Sequence, residues 1–246
     1  MFKIINTVGE TRIGKRKINQ DVFVIFNNKH SFLITALADG MGGHNGGEIA
    51  SQFAIKCVQK YFNNLNFATL TQEQSTDLII FNVKKIQKSF IDYAKLKPEL
   101  KDMGTTLNLN IFANDKLFSL NIGDSRTMQL LNREIVEITE DHNLSTLARK
   151  NPLYAKFSNY SNLLTSSLGP IKETKVDLFV THFSADGYII QTCDGVHNYV
   201  SNNEIKKILL SSKTDLKEKA DNIIQKALKK GSKDNVTVVL VEYGKK

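Results

Sequence analysis

The chain has no stretch of about 18 uninterrupted apolar residues, so nothing in it is long and apolar enough to be a membrane-spanning helix. Its first residues, Met1-Phe2-Lys3-Ile4-Ile5-Asn6, carry neither the apolar stretch nor the cleavage site of a secretory leader, and the expected location is cytoplasmic. Only two cysteines occur. Cys57 falls in a helical pattern and Cys193 follows an apolar run, which excludes a disulfide framework or a zinc site and reads as two small core residues. Neither starts a cysteine phosphatase loop, because the sixth residue after Cys57 is Asn63 and after Cys193 is Tyr199, where arginine is needed. Gly-x-Ser-x-Gly is absent too, since Gly123-Asp124-Ser125-Arg126-Thr127 breaks it. No repeat, low-complexity tract or linker interrupts the 246 residues, so one domain spanning 1–246 is expected; 41% hydrophobic content suffices for a large core.

What is present centres on Ala38-Asp39-Gly40-Met41-Gly42-Gly43-His44-Asn45-Gly46-Gly47-Glu48, between the apolar run Phe32 to Leu37 and a helical segment. Gly42, Gly43, Gly46 and Gly47 leave almost no side chain, as in a loop that a ligand or another backbone approaches closely. No Lys-Ser or Lys-Thr follows, which removes the P-loop, and Asn45 stands where a dinucleotide fingerprint counted from Gly40 needs glycine. There remains Asp39, a hard oxygen donor beside the Gly40 carbonyl, suited to Mg²⁺ or Mn²⁺. By itself an Asp-Gly after an apolar strand is equally an ordinary turn.

Residues 3–8 and Asp21 to Phe26 read as strands of a hairpin-rich sheet, with Asn27-Asn28-Lys29 turning into a strand from Ser31. Ala50, Phe53, Ala54, Cys57, Val58 and Tyr61 stripe a helix over 47–62. Thr71 with Gln74 forms a capping-box pattern for a second helix, striped by Ile79, Val83, Ile86, Phe90 and Tyr93 and ended before Pro98. The period then becomes two: Thr105 to Phe112, Lys116 to Asn121, Arg126 to Leu131 and Ile135 to Ile138 read as a meander of antiparallel hairpins. Residues 139–165 are irregular. Strands resume at Val176 to Thr181 and Tyr188 to Thr192; Ser201 with Glu204 caps a helix, another runs from Leu216 to a stop at Gly231, and Val236 to Glu242 is a final strand. Helices in pairs between strands, without βαβ alternation, predict an α+β fold of two packed antiparallel sheets covered by helices.

Asp21, Asp39, Asp124, Asp194 and Asp234 all lie at ends of apolar runs or in adjoining turns. If they converge, their mutual repulsion calls for cations; spacing alone does not show convergence. The net charge of +8 and the lysines from Lys206 to Lys233 invite a nucleic-acid reading. Asp215, Glu218 and Asp221 interleave them without an aromatic platform, so a solvated helix face is the better reading.

Seven segments in order, Arg16-Lys17-Ile18-Asn19-Gln20-Asp21, Ala38 to His44, Gly104-Thr105-Thr106-Leu107, Asn121-Ile122-Gly123-Asp124-Ser125-Arg126, Thr139-Glu140-Asp141-His142, Cys193-Asp194-Gly195-Val196 and Lys233-Asp234-Asn235-Val236-Thr237, resemble the motifs of the metal-dependent Ser/Thr protein phosphatases, type 2C, in its bacterial branch. The resemblance implies a four-layer αββα sandwich with a binuclear Mn²⁺ or Mg²⁺ centre. It implies that Asp39 bridges two ions, that Asp194 and Asp234 serve one and Asp21 with the Gly40 carbonyl the other, and that Asp124 holds a weaker third. It makes Arg16 the phosphate-binding arginine; with cysteine and serine nucleophiles excluded, metal-activated water is the nucleophile, and the leaving alkoxide takes its proton from His44 or a metal-bound water. The implied partners are phosphorylated proteins, among them a Ser/Thr kinase and its substrates, acted on by a monomer. A non-catalytic phosphoprotein-binding relative is the rival reading; it predicts lost ligand carboxylates, and none is lost. The departure is in the flap region, about 139–169, where Asn151-Pro152 stands early and Asn162 to Gly169 contains no arginine.

Overall fold

The computed structural model describes residues 2–42, 46–151, 153–154, 163–170 and 174–245. Two antiparallel sheets stack face to face. The first has the order β1 (Phe2–Arg12), β11 (Val236–Lys245), β10 (Gly187–Thr192), β7 (Arg126–Leu131), β8 (Glu134–Glu137). The second runs β2 (Asp21–Asn27), β3 (Leu33–Met41), β5 (Leu107–Ala113), β6 (Lys116–Ile122), β9 (Asp177–His182), with the short β4 (Gly104–Thr105) on β3. Helices α1 (Gly46–Phe62) and α2 (Gln72–Leu96) cover the second sheet, burying Ala54, Val58, Ile86 and Phe90 against Ile34, Ala36 and Leu109. Helices α4 (Asp194–His197), α5 (Asn202–Leu209) and α6 (Leu216–Lys229) cover the first, where Ile205, Ile223 and Ile224 meet Met128, Ile190 and Leu240. The expected four-layer αββα architecture is the observed one.

Local chemistry explains the helix ends. Thr71 Oγ1 accepts from the Gln74 N–H while Gln74 Oε1 accepts from the Thr71 N–H, so the α2 cap is reciprocal. Asp215 and Glu218 do the same for α6. A short helix in the flap region, α3 (Leu144–Lys150), is absent from the sequence reading; Asn143 Oδ1 caps it on the Thr146 N–H.

Two expectations of pairing are corrected. β1 and β2 do not share a sheet: β1 pairs over its length with β11, joining the two ends of the chain. The predicted single meander is two hairpins, β5–β6 in one sheet and β7–β8 in the other. Their tips, Asn114-Asp115 and Asn132-Arg133, have positive φ, as the tightest hairpins require. Gly123-Asp124-Ser125 is therefore a crossing between sheets, not a hairpin turn. Gly123 has φ of +103°, and a Cβ there would lie 2.5 Å from the Thr106 methyl, so the crossing is built for glycine.

The alternation in β5 also has an unexpected meaning. Asn108 and Asn110 do not face water but are buried between the sheets. Gln191 Nε2 donates to Asn108 Oδ1 at 2.8 Å, Thr127 Oγ1 donates to the same oxygen at 2.7 Å, and Thr35 Oγ1 donates to Gln191 Oε1. A satisfied polar layer thus fixes the register of one sheet on the other.

Candidate active site

Sheet geometry collects the carboxylates at one end of the sandwich. Asp21 opens β2 and Asp39 is its directly opposed residue on β3, a like-charge pairing that a sheet ordinarily disfavours. Asp39 is held by its backbone. Its N–H donates to Thr106 Oγ1, and its carbonyl accepts from the Thr106 N–H and Thr105 Oγ1, each at 2.9 Å. The Thr106 hydroxyl also meets Ser125 Oγ at 2.9 Å, which ties the Asp124 crossing to the Asp39 strand.

Gly40 and Gly47 serve a packing need. A Cβ on Gly40 would fall 2.0 Å from the Gly47 carbonyl oxygen, and one on Gly47 would fall 2.8 Å from the Gly40 carbonyl carbon. The glycines of this loop therefore let the end of β3 lie directly on the start of α1. His44 lies outside the described residues.

Asp194 is the first residue of α4, and Asp234 lies two residues before the start of β11. Asn235 ties the Asp234 segment to the loop between β1 and β2, a role the sequence reading did not assign. Its Oδ1 accepts from the Gln20 N–H at 2.8 Å, and its Nδ2 donates to the carbonyls of Ile13 at 2.9 Å and Ile18 at 3.1 Å. The only sequence signal for it was its place in the Asp234-Asn235-Val236-Thr237 motif. Arg16, in the loop so held, forks onto Asp234: Nε donates to Oδ1 at 2.9 Å and Nη2 to Oδ2 at 2.7 Å. Deeper in, Arg126 makes the same bidentate contact with Asp141 at 2.8 and 2.7 Å.

A cleft of about 380 Å³ is lined by Asp39, Asp124, Asp194, Asp234 and Arg16, with Leu163 and Leu164 of the flap region on its wall. A larger groove, of about 750 Å³, lies at the other end of the sandwich among Phe2, Phe112, Phe183 and Tyr243. It has no carboxylate cluster, so the smaller cleft is the candidate site.

The cluster's electrostatics are those of crowded anions. Burial first, then Asp194 and Asp234, push the Asp21 carboxyl up to about 6 against the hydrogen bond from Thr237. Burial and then Asp234 bring Asp194 to about 6; burial, Asp194 and Asp141 bring Asp124 to about 7. Asp39 is raised by burial and by all four of the others. Among the described residues no three His, Cys, Asp or Glu side chains stand as a closed metal-binding group. Asp21 Oδ2 accepts from Thr237 Oγ1 at 2.6 Å, and both oxygens of Asp234 accept from Arg16. What the carboxylates share is a field and a cleft. The donor set still fits a hard divalent cation, since it is all oxygen and strongly anionic. Asp21 Oδ1, moreover, is buried without any hydrogen-bond partner.

Comparison with known proteins follows the same lines. The family model described as protein phosphatase 2C matches residues 8–233. The chain is 36% identical over 231 residues to the serine/threonine phosphatase stp of Listeria monocytogenes, covering 92% of this chain and 91% of that one. It is similar in structure to serine/threonine phosphatase Stp1 from Staphylococcus aureus, with a TM-score of 0.86 and 31% identity, covering 98% of this chain and 95% of the other. It also superposes on the catalytic domain of the serine/threonine protein phosphatase PstP in complex with two manganese ions, with a TM-score of 0.81, 26% identity and full coverage of both chains.

Proposed function

The chain belongs to the protein phosphatase 2C family, and from that premise we propose that it is a Mn²⁺- or Mg²⁺-dependent phosphatase acting on phosphoserine and phosphothreonine in proteins, opposing a Ser/Thr kinase, with residues 1–246 as one catalytic domain. The observation that carries this reading is the convergence of four carboxylates from separate elements, Asp39, Asp124, Asp194 and Asp234, on one cleft beside an arginine, with the buried Asp21 directly opposite Asp39. By the family's motif positions Asp39, Asp194, Asp234, Asp21 and the Gly40 carbonyl would hold the ion pair, with Asp39 common to both ions, and Asp124 would hold a weaker third. When bound, such a pair supplies an activated water as nucleophile and neutralises charge on the transferring phosphoryl group.

The chain's own residues do the rest. Arg16 presents its guanidinium at the cleft mouth, 59% exposed at the side chain, with Nη1 not engaged by any described residue. It grips phosphate oxygens while Asp234 holds its other edge in plane. Thr105 and Thr106 keep the Asp39 carboxylate pointed where β3 ends. Leu163 and Leu164 exclude water from one side. His44 gives the proton to the departing serine or threonine oxygen.

The purified protein is expected to hydrolyse p-nitrophenyl phosphate and a phosphothreonine peptide only with Mn²⁺ or Mg²⁺, and Asp39→Ala is expected to abolish both activities. Undiminished turnover in excess chelator would overturn the reading. Arg16→Ala is expected to raise KM about tenfold or more while ion affinity holds or tightens, since a cation competing for Asp234 is removed.

A further inference from the structure

A second cavity, of about 490 Å³, abuts the acidic cleft. The two share only Arg16, Asp194 and Asp234, so the Arg16–Asp234 fork is the partition between them. The remaining lining differs in kind. On the far side of the fork stand Lys15, Lys233, Asn198 and Tyr199, and no carboxylate beyond the two in the partition.

Lys15 and Lys233 come from opposite ends of the chain and are fastened side by side. The Lys15 N–H donates to the Lys233 carbonyl at 3.2 Å. Gly14, at φ of +64°, packs so tightly that a Cβ would fall 1.9 Å from the Asp234 carbonyl oxygen. The two loops therefore cannot separate without moving Asp234. Among the described residues neither ammonium group has a carboxylate partner: both oxygens of Asp234 belong to Arg16, and the lysines of α5 and α6 that do pair, Lys206, Lys226 and Lys230, pair with Glu134 and Glu204 instead. Two exposed lysines on joined backbones thus line one cavity, and among the described residues no carboxylate neutralises either. This is unfavourable in the free protein and favourable once an anion lies between them.

On the reading that Arg16 holds the scissile phosphate, we propose that this cavity is a substrate subsite for an anionic side chain, carboxylate or second phosphoryl group, one to three residues from the phosphorylated residue. An extended peptide spans about 3.3–3.6 Å per residue, so a neighbour within three residues reaches about 10 Å, and the two cavities share the Arg16–Asp234 wall. Lys15 and Lys233 supply the charge, and Asn198 and Tyr199 supply neutral hydrogen-bonding groups beside them. Sequence preference then comes from the loop pair of Arg16 and Asp234, on the side of the cleft away from Leu163 and Leu164.

The test is steady-state kinetics with phosphothreonine peptides that differ only in one flanking residue: alanine, glutamate, or a non-hydrolysable phosphonate analogue of phosphoserine. Exposed charge pairs suggest a two- to fivefold gain in kcat/KM per lysine engaged, so glutamate should exceed alanine by about fivefold and shrink toward parity in about 0.5 M salt. A larger gain for the phosphonate alone identifies a phosphate subsite; equal gains identify a general anion subsite. The Lys15→Ala, Lys233→Ala double variant should abolish the preference with p-nitrophenyl phosphate turnover unchanged, and the corresponding double arginine variant should keep it. Wild-type protein without preference, or a double alanine variant that retains it, overturns the subsite. Absence of p-nitrophenyl phosphate turnover in the wild type overturns the phosphatase reading itself.

Discussion

His142 secures the Asp124 crossing through both ring nitrogens. Its Nδ1 accepts from the Gly123 N–H at 3.2 Å, which leaves the proton on Nε2 to be donated to Asp177 Oδ2 at 3.0 Å. The ring is buried and neutral, and burial lowers its proton affinity despite the opposing pull of Asp177. Asp177 in turn is held below the usual carboxylate range by Lys175 and His142, which outweigh its partial burial. The sign for the histidine follows from linkage. Its folded pKa lies below the unfolded value of about 6.5, so the unfolded chain binds the proton first and this contribution to stability is lost as pH falls from about 6.5. The Asp177 contribution is lost only at lower pH, as the carboxylate protonates. Wild type should therefore exceed His142→Gln in Tm at pH 8, and the gap should narrow at pH 5; a gap independent of pH would show that the ring does not titrate between the two states. His142 was visible in the sequence only as part of Thr139-Glu140-Asp141-His142. Its task was not, because Gly123 and Asp177 are remote in the chain.

At the scale of elements, the site depends on one strand end meeting one helix start. Gly47→Ala would place a methyl 2.5 Å from Gln20 Nε2, which can swing away, and 2.8 Å from the Gly40 carbonyl carbon, which cannot. The end of β3 must shift, at a cost of about 1–3 kcal/mol, and Asp39 shifts with it. Calorimetry should show the lost stability and phosphatase assays a disproportionate loss of kcat. Gly231→Ala is the control. That glycine has φ of +96° but open space around it, so it should cost about 1 kcal/mol with kcat retained. Element by element, the helices were legible because their caps and stripes are local: Thr71 with Gln74 and Ser201 with Glu204 lie within single turns. Strand partners beyond a hairpin were not. Gly123-Asp124-Ser125 looks like a hairpin turn until the two sheets are seen on either side of it, and Asn108 and Asn110 look solvent-facing until Gln191 is placed opposite.

For the whole molecule, a chain of net charge +8 gathers Asp39, Asp124, Asp194 and Asp234 on one cleft at one end of the sandwich. Among the described residues no helix is long and apolar enough to cross a membrane. The concentrated charge makes fold stability and ion binding one equilibrium. An ion that binds only the folded state stabilises it by about 2.7 kcal/mol at 100 times its Kd, or roughly 5–10 °C in a chain of this size. Mn²⁺ added to the chelated protein should raise Tm by that order. Asp39→Asn should raise the Tm of the chelated protein, by removing the charge that four others repel, and should erase most of the gain on adding Mn²⁺. If Asp39→Asn instead lowers the chelated Tm and leaves the gain intact, the carboxylates do not share a site.

The sequence by itself determined the donors and the local frame: hard oxygen groups at strand ends, glycines where backbones touch, capped helices of the right length, and seven ordered motifs that resemble one family. These are properties of residue type and of neighbours within a turn. Only the tertiary structure decided that β1 closes on β11, that a polar layer joins the sheets, that Asn235 ties its own loop to the one between β1 and β2, and that Arg16 rests on Asp234 with Lys15 and Lys233 behind it. Strand pairing and charge pairing draw their free energy from residues as far apart as the two ends of the chain. No window of sequence contains both partners.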